Sequence, residues 1–265
     1  MDSELDPVKV VQGLNQAGIA RTKSKLMKFF VSALMSGLFL SIGTIFAYTC
    51  AGGLNADFRR KYPSVPKIIS GATYHLGLQM IISTGSELFT GSTMFLTSSL
   101  LQKNTKVTDY IKLLLLSLLG NIIGCVVADF LFGWVTDAFV DEPFKSFLLG
   151  ITKNKVNQSF HSIIFKSIAA NILVCVAIFQ ATGANSAAGK WFGISLPIMA
   201  FVTIGFEHSI ANFCVIPLGL MYGADVEGWR VFVVLLLNVL GNWLSGAFLA
   251  MVFDYLHSDS DTNKL

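Results

Sequence analysis

Two carboxylates stand where an apolar chain should carry none. Glu87 lies in STGSELFTGST, residues 83–93, and Glu207 lies beside His208 in GFEHSIAN, residues 205–212. A carboxylate without a partner is among the costliest groups in hydrocarbon, so each must be bonded or used. His208 adds a side chain whose ordinary pKa, about 6.5, lets it change charge near neutral pH. A hydroxyl such as that of Thr90 can donate and accept, and can therefore hold one tautomer of an imidazole. These types suit proton transfer to, or polarisation of, a small substrate. They suit catalysis poorly: consecutive helical residues point about 100° apart, so Glu207 and His208 would not act jointly on one atom. No nucleophile has a partner, and no Cys or His spacing suits zinc. Neither an enzyme nor a metal or other cofactor is expected. Cys50, Cys125, Cys175 and Cys214 read as packing residues.

The elements that must position these groups are membrane spans. The chain has 265 residues, 53% of them hydrophobic and only 13% charged, which excludes an ordinary soluble domain. Runs at Phe29–Ala56, Ser167–Gly189 and Val231–Phe253 are free of charge, and Lys112–Trp134 is broken only by Asp129. Each reaches the roughly 20 residues that cross a bilayer. A net charge of +3, scattered along the chain, gives no nucleic-acid footprint, and no glycine loop for phosphate is present. The start lacks the compact basic-then-apolar pattern expected of a cleaved signal peptide, and Pro7–Ala20 reads as an amphipathic helix at the membrane surface. The expected organisation is a cytoplasmic amino-terminal segment at 1–25, a transport domain at 26–256 and a polar tail at 257–265. Arg21, Lys23, Lys25 and Lys28 favour a cytoplasmic amino terminus, although six spans would place ten basic residues inside and nine outside.

Between Lys67 and Lys103 lie 35 residues whose only formal charge is Glu87, and between Lys190 and Asp225 lie 34 whose only one is Glu207. Each is too long for one straight span and lacks the polar turn that would separate two. A helix broken at membrane depth fits both, and such backbone survives only where protein buries it or a cavity runs past it. Gly85 and Gly91 flank the first break and Gly205 marks the second. GSEL at 85–88 precedes GFEH at 205–208 by 120 residues, and LLGN at 118–121 precedes VLGN at 239–242 by 121. The fold class expected is therefore all-α: six transmembrane helices as an inverted repeat of three, halves at about 26–138 and 160–256, with the second and fifth helices broken. Half-helix amino termini at the breaks favour an anion. Glu87 and Glu207 are expected to accept hydrogen bonds from backbone amides or nearby Asn and Thr groups, supporting the breaks rather than touching the anion.

TGSELFTG and GFEHSIAN resemble the two signature stretches of the formate/nitrite transporter family, and with both Gly-Asn pairs and Lys155-Val156 the resemblance spans essentially the whole chain. It implies a homopentamer of protomers with an aquaporin-like fold, one pore each, and both termini cytoplasmic. By the resemblance, Thr90 hydrogen-bonds the central His208, while Glu207, Asn212 and Asn171 are polar pathway positions and Lys155 is a vestibule cation in a loop. Tyr74, Leu78, Leu88, Phe89 and Phe201 match apolar constrictions. Two departures bear on the substrate: KVNQSF lacks a histidine common after the Lys-Val pair, and Ser92 stands where many members have Asn. His75, His161 and His257 are expected to be structural or exposed.

The function expected is a channel or proton-coupled transporter for small monovalent weak-acid anions such as formate, nitrite, acetate, lactate or hydrosulfide, in the plasma membrane. Its partners are the anion, protons, the lipid bilayer and further copies of the chain. Lys155 and the half-helix ends attract the anion, and protonation near His208 removes much of the desolvation cost in the dry constrictions. His208 either hands over a proton or polarises the anion while water supplies it. Thr90-Gly91 leaves room for acids larger than formate. The alternative is a neutral-solute channel on the aquaporin plan, whose Asn-Pro-Ala signatures are absent here. A structural scaffold would need no paired polar breaks.

Overall fold

The computed structural model describes residues 5–257. All the regular elements it contains are helical: α1 Pro7–Thr22, α2 Leu26–Gly52, α3 Ala56–Lys61, α4 Ser64–Thr84, α5 Phe89–Leu101, α6 Val107–Ala128, α7 Phe144–Val156, α8 Phe160–Gly183, α9 Ala187–Ile204, α10 Ser209–Met221 and α11 Gly228–His257. A π-helical turn at Asp129–Trp134 continues α6. Most of the tail expected at 257–265 lies outside the described residues.

Among the described residues, five stretches are long and apolar enough to cross a membrane: α2, α6 with its π-turn, α8, α9 and α11. α4, although 21 residues long, is not among them. Ser64, Lys67, Ser70, Thr73, His75, Gln79, Ser83 and Thr84 lower its hydropathy. Such a helix is stable in a membrane only when protein covers much of its polar side. α4 lies between α2 and α9, and its Tyr74, Leu78 and Ile81 are buried in the core shared with them. Where α2 crosses α6, Gly37 and Gly124 leave no room for a Cβ, so the two backbones touch, as small residues allow between membrane helices.

Two features of the ends differ from expectation. The helix read as lying on the membrane surface instead buries Val10, Val11 and Leu14 against protein, chiefly along α5. The reason is local: its apolar stripe faces a surface already formed by α5 and α8, where burial removes more apolar area from water than a headgroup layer would. Lys155, expected in a loop, occupies the last turn of α7, where a cation complements the helix dipole.

Candidate functional site

Both breaks have the same backbone. α4 ends at Gly85 with φ +68°, and α9 ends at Gly205 with φ +88°, left-handed conformations that glycine adopts without strain. Three residues later the chain re-enters a helix. Leu88, at φ −105° and ψ 124°, caps α5, while His208, at −103° and 126°, caps α10. Gly91, expected to flank the first break, lies inside the first turn of α5, where its missing side chain admits Ile178.

The breaks are held by asparagines rather than by the carboxylates. Asn121 accepts from Phe89 N–H (2.8 Å) and donates to the carbonyls of Glu87 (2.9 Å) and Ala33 (2.7 Å). Asn242 repeats the pattern: it accepts from Ser209 N–H (2.7 Å) and donates to the carbonyls of Glu207 (3.2 Å) and Ser167 (2.6 Å). Both are buried. A backbone that leaves a helix at membrane depth must find such partners. The LLGN and VLGN repeat carries this signal, a Gly-Asn pair at matching positions.

Each carboxylate is bound to a cation, a partner the expectation lacked; of the amide partners expected, Asn212 does bond Glu207. Glu87 pairs with Arg21 of α1 at 2.8 Å, and the guanidinium lies 4.1 Å from the centre of the Phe95 ring. Glu207 pairs with Lys155 at 2.8 Å and also accepts from Gln158 and Asn212, each at 2.7 Å. Asn212 is fixed in turn by Asn238 at 2.9 Å. Ion pairing wins because each carboxylate is almost wholly buried, and an amide alone would leave its charge uncompensated. Asp129, buried at the end of α6, is hydrogen-bonded by Ser41 of α2.

His208 and Thr90 meet between the breaks, with imidazole Nε2 3.0 Å from the Thr90 hydroxyl. The other ring nitrogen, Nδ1, accepts from Ala211 N–H at 3.1 Å. A backbone amide can only donate, so Nδ1 carries the lone pair and Nε2 carries the hydrogen. His208 is thus neutral in this geometry, with its N–H directed at Thr90. Its ring stacks 5.9 Å from that of Phe201.

Two cavities meet at the imidazole. The wide one, about 600 Å³, is lined by Tyr48, Tyr74, Phe201 and His208 at depth and by Arg59, Lys67, Lys155 and Lys166 around Glu207. Lys166 is tied to Gln158 at 2.6 Å, and Arg59 binds the carbonyls of Gly52 and Leu54. With Lys155 neutralised by Glu207, the surplus charge belongs to Arg59, Lys67 and Lys166, three residues the sequence reading did not select. The second cavity, about 10 Å³, is closed by Leu40, Tyr74, Leu78, Leu88, Val174, Ile198, Phe201 and His208. That is at the lower bound for holding one water molecule. Tyr74, Leu78, Leu88 and Phe201 are therefore brought together around His208, joined by Leu40, Val174 and Ile198, which nothing in their type distinguishes from packing residues.

Four of the expected pathway residues line neither cavity: Thr90 and Asn212, whose bonds to His208 and Glu207 are given above, and Phe89 and Asn171. Phe89 is buried in the core beside Leu88. Asn171 lies behind the breaks, donating to the Asn242 carbonyl at 2.6 Å and reaching the Thr90 carbonyl at 3.4 Å. Among the described residues, no three of His, Cys, Asp or Glu are grouped as a metal site. Of the histidines outside the site, His75 contacts Ser195 at 3.3 Å and His161 contacts Ser159 at 3.3 Å.

Comparison with known proteins adds an independent observation. A family model described as formate/nitrite transporter matches residues 8–256. The nitrite transporter NirC of Escherichia coli is 32% identical over 94% of this chain and 91% of its own length. A probable formate transporter of Methanothermobacter thermautotrophicus is 28% identical over 95% and 96%. A solved pentameric formate channel with formate bound superposes with a TM-score of 0.76 at 25% identity, covering 87% of this chain and 96% of that one.

Proposed function

Because the chain belongs to the formate/nitrite transporter family, we propose that it carries small monovalent weak-acid anions across a membrane, with net entry of the protonated form. Formate and nitrite lead the list, being the substrates for which the two relatives are named; acetate, lactate and hydrosulfide share the chemistry. The protomer is a six-span inverted repeat of three in which α4–α5 and α9–α10 are the broken second and fifth spans. Five protomers assemble around a common axis in the plasma membrane with both termini in the cytoplasm. The pentamer of the formate channel supports this reading.

The observation that carries the proposal is the position of His208: a neutral N–H donor at the floor of a basic vestibule, against a passage too narrow for a hydrated ion. An anion is drawn in by Arg59, Lys67 and Lys166 and by Lys155, whose charge Glu207 offsets only locally. At the constriction it must lose water, at an effective cost of several kcal/mol as an ion and far less as a neutral acid. The Nε2–H of His208 can donate a hydrogen bond to one anion oxygen in place of Thr90. It is a poor proton source, since releasing that hydrogen while Nδ1 is unprotonated would form an imidazolate. Of the two routes left open by the sequence, polarisation by His208 with water supplying the proton therefore fits the geometry better. On the far side Arg21 and Glu87 occupy the place of Lys155 and Glu207 and keep a cation near the second mouth.

The test is uptake of labelled formate and nitrite into proteoliposomes, with internal pH recorded and an inward proton gradient imposed or absent. Wild type should take up anion and proton together, faster with the gradient. His208→Ala should lose at least tenfold in rate. Flux equal to that of empty vesicles for formate, nitrite, acetate, lactate and hydrosulfide would remove the proposal.

A further inference from the structure

Away from the pathway, an apolar recess of about 890 Å³ opens on the outer face between the start of α2 and the first half of α6. Its walls are Leu26, Met27, Phe30, Ile111, Leu115 and Leu119, and Lys112 stands on its rim. The packing explains why it exists. Gly120 lies against Phe30 and Ala33, Gly124 against Leu34, and Gly37 against Asn121 and Cys125, so the two helices run in the same direction. α6 begins at Val107 and extends farther back than α2, which begins at Leu26. Ahead of the start of α2, that side of α6 has no α2 residue against it along the groove.

The same end of the bundle carries Lys23, Lys25 and Lys28 around the start of α2, with Lys106 and Lys112 at the start of α6, all exposed. None has a carboxylate within ion-pair distance among the described residues. Asp109 is the one acid in the first turn of α6. The apolar face continues along α6 through the exposed Ile123, Val126 and Val127. A recess opening onto hydrocarbon, with uncompensated cations at one mouth, has the two features that recognise an acidic lipid: a slot for a chain and a site for a phosphate. A neutral lipid would leave the lysines unused, and a second copy of the chain would have to bury them.

We infer that this groove seats an acyl chain of an anionic phospholipid, with the phosphate held by the lysines at its mouth. Each lysine near an anionic headgroup contributes about fivefold to binding, reduced by salt. Three of them should give a preference of about tenfold or more over a zwitterionic lipid.

The full chain, solubilised with equal amounts of dioleoyl phosphatidylglycerol and dioleoyl phosphatidylcholine, would be analysed for retained lipid by native mass spectrometry. The expected result is phosphatidylglycerol in about tenfold excess. The combined variant Lys25→Gln, Lys28→Gln, Lys112→Gln should bring the two lipids to parity, and Leu115→Trp, which fills the groove without altering charge, should lower retention of phosphatidylglycerol. Both variants should elute as wild type and keep anion uptake, because neither change touches the pathway. Should the triple variant not fold, Leu115→Trp alone decides. Equal retention of both lipids by wild type, or an unchanged preference in a folded triple variant, overturns the inference. So does efficient cross-linking in membranes between cysteines placed at Met27 and Leu115 of neighbouring copies, since a second chain would then occupy the groove.

Discussion

Replacing Asn242 with Ala tests the claim that asparagines hold the breaks. The truncation leaves Ser209 N–H and the Glu207 carbonyl without their partners, both in buried surroundings, and removes the hydrogen bond that Asn242 donates to the Ser167 carbonyl. An orphaned buried polar group costs about 1–3 kcal/mol, so two give about 2–6 kcal/mol. Part of this falls on the start of α10, where His208 is the cap, so the 3.0 Å contact between Nε2 and Thr90 should loosen. The expected variant is destabilised in a thermal melt of the solubilised protein and loses more than tenfold in formate uptake at equal reconstituted amount. Asn121→Ala should resemble it, because Asn121 bonds Phe89 N–H and the Glu87 carbonyl in the same way. Asn242→Asp separates the two halves of the bond set: it retains an acceptor for Ser209 N–H but cannot donate to Glu207 or Ser167, and should recover little. Wild-type melting and uptake in both alanine variants would refute the reasoning, since the breaks would then be held by something else.

Three further outcomes follow from the same geometry. Lys155→Met leaves the Glu207 carboxylate with only amide donors at the vestibule wall, so anion uptake at low substrate should fall about tenfold, with partial recovery in Lys155→Arg; equal uptake by Lys155→Met and wild type would detach the pair from anion entry. Arg21→Met strands a buried carboxylate and should cost about 3–5 kcal/mol in a denaturant titration, whereas Arg21→Met with Glu87→Gln should recover part of it, and a double variant no better than the single one would count against the pair. Gly205→Ala places a side chain at φ +88° with open space around it, so about 1–2 kcal/mol of stability should be lost to backbone strain alone, and an unchanged melt would show that the break does not need glycine.

How much of the site was readable depended on whether its signal was local. The breaks were: a glycine, a carboxylate and an unusual length sit within a few residues of one another, and hydrocarbon tolerates that combination only for a reason. The pairing of His208 with Thr90 came from the family resemblance of the two break motifs. The groups that compensate the carboxylates were not readable, because Lys155 is 52 residues from Glu207 and Arg21 is 66 from Glu87. Lysines and arginines near span ends are also the usual marks of topology, so nothing in the sequence separates Arg21 from an orientation charge. Leu40, Val174 and Ile198 narrow the passage with side chains that elsewhere only fill space.

The two ion pairs also show where the halves of the molecule part company. Leu88 and His208 share one backbone conformation, and Asn121 and Asn242 share one set of bonds, so the breaks themselves match down to individual hydrogen bonds. The cations do not. Lys155 comes from α7, in the chain between the halves, while Arg21 comes from α1, ahead of both. A break at membrane depth requires its backbone partners from nearby spans, which fixes the asparagines. The carboxylate requires only a positive charge within reach, and any segment passing the mouth can supply it. With leucine in one cap and histidine in the other, the two matched breaks present different side chains to the cavity they share. Around the cavity closed by Tyr74, Leu78, Leu88 and Phe201 one break therefore presents an imidazole and the other an alkyl side chain, so matched backbones do not carry matched chemistry.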